Sequence, residues 1–317
     1  MSDNWLEVRI PISPLDHYFN RIRYIANSIR SLGTRYRKTR IRVTVGDASS
    51  DPQDLYARLP WSRSLGIDWH WIGREEFEAW KATAHPYVPT MMERFRPPFS
   101  TQHILMLDAD VVALRPFDEL FEFIEHHPGI VGVMAHASPF GSRDPAAHES
   151  RWKELYHLSG LGEPRFEYQH SGWGSMDLAP SRRMSPPYFN TGVLLASSSS
   201  LEKLYRPYMD ALALVRQTMN TYFFEQIALT LALMQAKVPY HVAPLRYNFP
   251  NDPLFDKANP DDLREIRLLH FLRTDTVRRE ADFEDINSVA RLVERADLSG
   301  SNELLRRRIA ELSTVAQ

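Results

Sequence analysis

The run His103-Ile104-Leu105-Met106-Leu107-Asp108-Ala109-Asp110-Val111-Val112 constrains this chain more than any other stretch. Ile104 to Leu107 is apolar without interruption and stops abruptly at two carboxylates. A short unbroken apolar run bounded by polar residues is the pattern of a strand buried on both faces, as in a parallel sheet. Two carboxylates at the exit of such a strand are costly to bury without a partner charge. Residues i and i+2 of an extended chain point to the same side, so one divalent cation can meet both Asp108 and Asp110. Oxygen ligands suit Mg²⁺ or Mn²⁺. Ligands of open parallel sheets collect at the carboxyl ends of strands, which is where this pair falls.

The flanking sequence supplies the alternation that a parallel sheet needs. Leu6 to Ile12 reads as a first strand. Phe19, Ile22, Ala26 and Ile29 then recur at spacings of three and four, which predicts an amphipathic helix closed by Gly33. Ile41 to Val45 and Ile67 to Ile72 are the next strands. The expected fold class is therefore α/β with a largely parallel central sheet. No glycine-rich phosphate loop follows the first strand, so any phosphate chemistry must rely on a metal and side chains.

Beyond this, Arg74 to Phe95 is predicted to be mostly helical, with a break around Pro86 and Pro89. Pro116 opens a helix that aligns Phe117, Leu120, Phe121 and Ile124 on one face. Ile130 to Met134 is a further strand. Residues 138–188 mix Pro, Gly, Ser, Arg and aromatic residues and read as a long irregular insertion. An acceptor-binding wall and a packed decoration are equal readings of it. Tyr188 to Leu195 is a strand with Asn-Thr-Gly set into it, and a glycine inside a strand marks close approach of a ligand or another backbone. Ser197 to Ser200 reads as a turn, Leu201–Leu214 and Tyr222–Met234 as helices, and Val238–Val242 as a strand. Ile266 to Phe271 is a last apolar strand, with His270 near its end. Ile286, Val289, Leu292 and Val293 begin a helical tail that runs through Arg306-Arg307-Arg308. The expected division is a catalytic domain over 1–285 and a tail over 286–317.

Composition narrows the chemistry. A net charge of −2 argues against general attraction to nucleic acid. The absence of cysteine excludes disulfides and thiolate metal sites. No apolar run approaches the ~20 residues of a membrane span. Met1 to Trp5 has neither the basic nor the apolar region of a signal peptide, so the expected location is cytoplasmic. A solvated face is the favoured reading of the three-arginine tail, ahead of peripheral contact with an anionic membrane.

By residue type alone, a histidine ending an apolar strand is more often structural than a ligand. Arg94 and Asn190 have equally plain roles, in a salt bridge and in a bent strand. The order of motifs changes this weighting. Glu93-Arg94-Phe95 is followed by Leu105-Met-Leu-Asp-Ala-Asp110, then Tyr188-Phe-Asn-Thr-Gly-Val-Leu-Leu195, then Glu225-Gln226, then Arg246-Tyr-Asn-Phe249, then Leu268-Leu-His-Phe271. In this series the sequence resembles the glycogenin-like glycosyltransferases of family 8, including the bacterial lipopolysaccharide galactosyltransferases and glucosyltransferases. The resemblance implies a GT-A fold with a mixed, mostly parallel sheet, and a nucleotide-sugar donor, commonly UDP-linked. It implies Mn²⁺ (or Mg²⁺) held by Asp108, Asp110 and His270, and donor contacts from Arg94, Ala109 and the first strand's exit at Ile12, Ser13, Asp16 and Tyr18. Asn190, Glu225 and Gln226 are implied to line the sugar-transfer site.

Two departures stand out. The family usually follows its metal histidine with Gly and then Lys-Pro-Trp, where the lysine meets the diphosphate. Here the run is His270-Phe-Leu-Arg-Thr-Asp-Thr-Val-Arg-Arg279, and Arg273, Arg278 and Arg279 are the candidates for that charge, with Arg273 the one expected at the donor. Glu225 also stands where the family usually has Asp. The expected activity is metal-dependent hexosyl transfer from a nucleoside diphosphate sugar, a UDP-hexose by the resemblance. The acceptor is the hydroxyl of a glycan, a lipid-linked molecule or a small molecule. The resemblance implies retention of configuration. An inverting transferase with Glu225 as general base, and a catalytically silent nucleotide- or glycan-binding protein of the same fold, are the alternatives.

Overall fold

A computed structural model describes residues 5–83, 89–140, 145–171 and 184–315. The strands are β1 (Leu6–Ile12), β2 (Arg40–Val45), β3 (Ile67–Trp71), β4 (His103–Leu107), β5 (Val111–Ala113), β6 (Ile130–Met134), β7 (Tyr168–Gln169), β8 (Met184–Ser185), β9 (Phe189–Ser197), β10 (Tyr240–Val242), β11 (Phe249–Pro250) and β12 (Leu268–His270). Seven of them form the central sheet in the order β10-β6-β9-β4-β1-β2-β3. β1, β2, β3 and β4 run parallel, as do β6 and β10, and β9 lies antiparallel between β4 and β6. The mixed, mostly parallel sheet expected from the sequence is the one observed.

β1 is buried along its whole length although it contains Glu7 and Arg9. These satisfy each other at 2.6 Å, and Arg9 also donates to the carbonyls of Arg96 and Pro98 at 2.5 and 2.6 Å. The buried charges therefore tie the segment before β4 to β1 instead of being stranded. Helix Asp16–Arg30 lays Phe19, Ile22, Ile25 and Ile29 on one face of the sheet. Helices Ser198–Thr218 and Phe224–Ala236 cover the other with Leu201, Leu204, Tyr208, Ile227 and Leu231. Both faces of β4 are thus sealed, as its apolar run requires.

Three local expectations need correcting. Ser197 to Ser200 is not a turn: Ser197 caps helix Ser198–Thr218, its Oγ accepting from Ser200 N–H at 3.2 Å, as serine does at helix starts. The 138–188 stretch is not simply irregular. It contains helix Pro145–Leu158, whose Trp152, Leu155 and Tyr156 are buried at helical spacing, and the β7–β8 pair. Residues 141–144 and 172–183 lie outside the described residues, as does the Pro86 break. The strand around His270 is shorter than expected. It joins a separate three-stranded sheet, β11-β12-β5, and does not lie beside β4.

The C-terminal helices Ile286–Glu294 and Gly300–Val315 pack onto that small sheet. Leu305, Ile309 and Leu312 share an apolar cluster with Leu269, Phe271 and Val112. Arg308 reaches back to the carbonyls of Ala113 and Ser28 at 3.0 Å each, while Arg306 and Arg307 pair with Glu303. Among the described residues no helix is long and apolar enough to cross a membrane.

Candidate functional site

β4 ends at Leu107, and the next residue is tied to the neighbouring strand: Asp108 N–H donates to the Gly192 carbonyl of β9 at 2.9 Å. The chain turns through Ala109 and Asp110 and re-enters as β5, which pairs antiparallel with β12 so that Val111 faces His270. Phe271 N–H closes the ladder on the Asp110 carbonyl at 2.8 Å. This pairing, and not adjacency to β4, brings His270 to the two carboxylates.

His270 Nε2 lies 3.1 Å from Asp110 Oδ1 and 3.9 Å from Asp108 Oδ2, and the three ligand atoms lie within 4.8 Å of one another. Neighbouring ligands of an octahedral ion with bonds of about 2.1 Å sit about 3 Å apart, so two carboxylates and an imidazole at this spacing suit Mg²⁺ or Mn²⁺ with positions left for other oxygens. Asp110 and His270 are each 4% exposed, and Asp108 is partly open. Burial alone would raise the Asp110 carboxyl, but His270, then Arg279 and Arg21, hold it well below the usual carboxylate range. Burial works against a charged His270, and Asp110 and Asp108 outweigh it, raising the imidazole.

The imidazole is oriented from behind. Asn248, fully buried, faces His270 Nδ1 with its Oδ1 at 3.0 Å and donates its Nδ2 to Asn190 Oδ1 at 3.1 Å. Because Oδ1 only accepts, Nδ1 carries the proton, which leaves Nε2 as the nitrogen that can meet a cation. Asn190 Oδ1 also accepts from Gly192 N–H at 2.8 Å. A Cβ at Gly192 would lie 2.3 Å from His270 Cε1, so the glycine is what lets the ring sit against β9.

A second network joins Asp108 to helix Phe224–Ala236. Arg94, 1% exposed, donates to Asp108 Oδ1 at 2.9 Å and to Glu225 Oε1 at 2.5 Å. Glu225 sits in the first turn of helix Phe224–Ala236. Burial raises its carboxyl and Arg94 draws it back, leaving it above the ordinary value.

The carboxylates line a cleft with two lobes, of about 200 and about 280 Å³. Asn190, Glu225, Gln226 and His270 line the first; Ile12, Ser13, Tyr18 and Ala109 line the second; Asp108 and Asp110 belong to both. Three sequence-predicted residues stand elsewhere. Arg94 is behind the two carboxylates it joins. Asp16 turns to the surface and pairs with Arg58. Arg273 pairs with Asp252 at 3.3 Å and Asp275 at 2.9 Å, outside both linings. Arg279 lines both lobes and meets Asp110 Oδ2.

Sequence reasoning missed Arg21, Asn248 and the aromatic pair Tyr222 and Phe223, all at or behind this cleft. Arg21 left a signal: it falls beside Ile22 and Ile25, on the helix stretch predicted to be buried.

The sequence matches no protein-family model and no curated protein. Solved structures do share its architecture. Mouse xyloside xylosyltransferase 1, in its apo form, is 14% identical, with 85% of this chain and 98% of that one covered and a TM-score of 0.50. The galactosyltransferase LgtC, in complex with donor and acceptor sugar analogs, is 14% identical over 98% and 95%, with a TM-score of 0.52. The apo-form glycosyltransferase GlyE of Streptococcus pneumoniae TIGR4 is 15% identical over 99% of this chain and 62% of that one, with a TM-score of 0.53. At such identities the shared property is the fold: this chain is a mixed α/β protein with the GT-A fold of these glycosyltransferases.

Proposed function

We propose that the protein is a metal-dependent glycosyltransferase that moves a hexose from a nucleoside diphosphate sugar, UDP-linked by preference, to a hydroxyl acceptor. The observation that carries this reading is the convergence of Asp108, Asp110 and His270 on the lining of a two-lobed cleft at the carboxyl edge of a GT-A sheet. Asp108, Asp110 and His270 would hold Mn²⁺ or Mg²⁺, which supplies positive charge to the diphosphate as it leaves. Ile12, Ser13, Tyr18 and Ala109 line the lobe suited to base and ribose. Asn190, Glu225 and Gln226 line the lobe suited to the transferred sugar. Arg94 touches neither lobe and acts as a positioning residue, setting Asp108 and Glu225 relative to each other. Residues 1–285 would carry donor, cation and acceptor sites, with the 286–317 segment bracing β12 and so His270.

Retention is the favoured stereochemistry. A general base for inversion must be open to the acceptor hydroxyl, and Glu225, the candidate among the described residues, is buried and committed to Arg94. The test is a panel of nucleotide sugars with Mn²⁺, scored by donor hydrolysis and by anomer analysis of any glycoside formed. Asp110→Ala and His270→Ala should each lower turnover by about a hundredfold or more. Turnover equal to wild type in both variants refutes the cation site. Mn²⁺-dependent UDP binding with no donor turned over supports the silent binding protein instead.

A further inference from the structure

We propose that Arg21 and Arg279 together form the wall of the cleft that grips the diphosphate, and that they make the site select a nucleoside diphosphate over a monophosphate. This rests on the donor reading above and adds to it the residues that bear the leaving group's charge. Arg279 lies beyond the loop that follows His270, touches Asp110 Oδ2 and lines both lobes. Arg21 arrives from helix Asp16–Arg30. It lines the second lobe, stacks its guanidinium over the Tyr18 ring at 4.2 Å and donates Nε to the His17 carbonyl at 3.3 Å.

Arg21 is 3% exposed, and among the described residues it forms no ion pair within 4.0 Å. The carboxylate that acts on it, Asp110, already serves His270 and Arg279, so a buried guanidinium beside a polar cleft calls for a further anion there. The other candidate cations are accounted for. Arg94 is divided between Asp108 and Glu225, Arg273 is held by Asp252 and Asp275, and Arg278 is exposed and faces Asp282.

Charge balance identifies the ligand class. Arg94 and Glu225 offset each other, and a divalent cation offsets Asp108 and Asp110. Arg21 and Arg279 then leave two positive charges facing the cleft. The diphosphate of a nucleotide sugar spreads two negative charges over two phosphates, so two guanidiniums can each meet phosphate oxygens, whereas a monophosphate gathers its charge on one phosphate. Without the cation, the two arginines face two aspartates that no metal offsets, so diphosphate affinity should be tied to cation binding.

The experiment is calorimetric titration of UDP, GDP and UMP in Mn²⁺, on wild type, Arg21→Gln, Arg279→Gln and the surface control Arg278→Gln. Mn²⁺ affinity without nucleotide is measured alongside by electron paramagnetic resonance. Each of the first two variants should weaken the better-bound diphosphate by about tenfold or more and shrink its advantage over UMP. Mn²⁺ alone should bind no more weakly, and Arg278→Gln should match wild type. If Arg21→Gln fails to fold, Arg21→Lys keeps the charge without the bidentate fork and should show an intermediate loss. Diphosphate affinity within about threefold of wild type in both variants overturns the arginine assignment alone. So does a loss in Arg279→Gln fully matched by loss of Mn²⁺ affinity, because Arg279 would then act only through Asp110. A wild type that binds no nucleoside diphosphate in Mn²⁺ overturns both this inference and the donor reading.

Discussion

Gly192→Ala is the smallest change that should disable the proposed cation site while leaving the fold. Gly192 lies within β9 and is not among the positive-φ glycines, so alanine can adopt its backbone. The added methyl would lie 2.3 Å from His270 Cε1, 2.7 Å from Nδ1 and 2.9 Å from Asn190 Oδ1. Comfortable carbon contacts begin near ~3.5 Å, so the ring must retreat by about 1 Å or β9 must shift. Metal–ligand bonds tolerate about 0.2 Å. Displacing the ring also breaks the Asn248 contact that sets its tautomer, and lost outer contacts typically cost 10–100-fold in metal affinity. The cost in stability is that of modest overpacking, about 1–3 kcal/mol. The assay is Mn²⁺ affinity by electron paramagnetic resonance together with urea unfolding. Gly132→Ala in β6 is the control, since the nearest atoms its methyl would strike belong to Leu194 and Phe189 and not to Asp108, Asp110 or His270. Gly192→Ala should lose Mn²⁺ affinity at least tenfold, and Gly132→Ala should lose stability only. Mn²⁺ affinity within about threefold of wild type in Gly192→Ala would refute either the role of His270 as a ligand or the need for its close seat on β9.

Two further outcomes are expected. Arg94→Met leaves the Asp108 and Glu225 carboxylates without their shared partner and should cost about 3–5 kcal/mol in urea unfolding. Adding Glu225→Gln should restore much of that, and a double variant no more stable than Arg94→Met would dismiss the pairing. His136 is buried beside Ser171, and burial pushes its imidazole from 6.5 down to about 3, with the charge of His270 adding to the effect. The unfolded chain takes up this proton as pH falls below 6.5 while the folded chain does not until about 3, so the contribution is whole above 6.5 and is lost across that window. With chelator present, His136→Gln should flatten the loss of stability between pH 6 and 4 by up to ~1.4 kcal/mol per pH unit, and parallel curves for the two proteins would rule it out.

What was legible in the sequence is what local pattern dictates. The apolar run before Asp108 had to be a strand sealed on both faces, and β4 is one. The spacing of Phe19, Ile22, Ala26 and Ile29 had to be a helix face, and those residues are buried in helix Asp16–Arg30. The helix Pro145–Leu158 is hard to read from sequence although Trp152, Leu155 and Tyr156 fall at helical spacing, because the Pro, Gly and Ser around it mask three well-placed apolar residues. The serines from Ser197 were misread for a related reason: serine favours turns and helix starts alike, and only the apolar stripe beginning at Leu201 separates the two.

The site itself was legible only where chemistry and order coincide. Asp108 and Asp110 declare themselves, since two charges at the end of a buried strand need an explanation. Arg21 and Asn248 do not, because what gives them meaning lies on other elements. Arg21 sits on a helix before β2 and meets a cleft floored by the carboxylates after β4. Asn248 lies just before β11 and touches a histidine that β12 has carried to Asp110 through β5. The same holds for the choice among Arg273, Arg278 and Arg279. Their spacing from His270 does not decide among them, and Arg273 is the one the sequence reading expects at the donor. The loop after β12 instead leaves Arg273 with Asp252 and Asp275, and only Arg279 lands on Asp110. A residue's charge is a property of sequence, but the neutralising partner is a property of topology, and in a buried site the partner decides which charges are left over to bind a ligand.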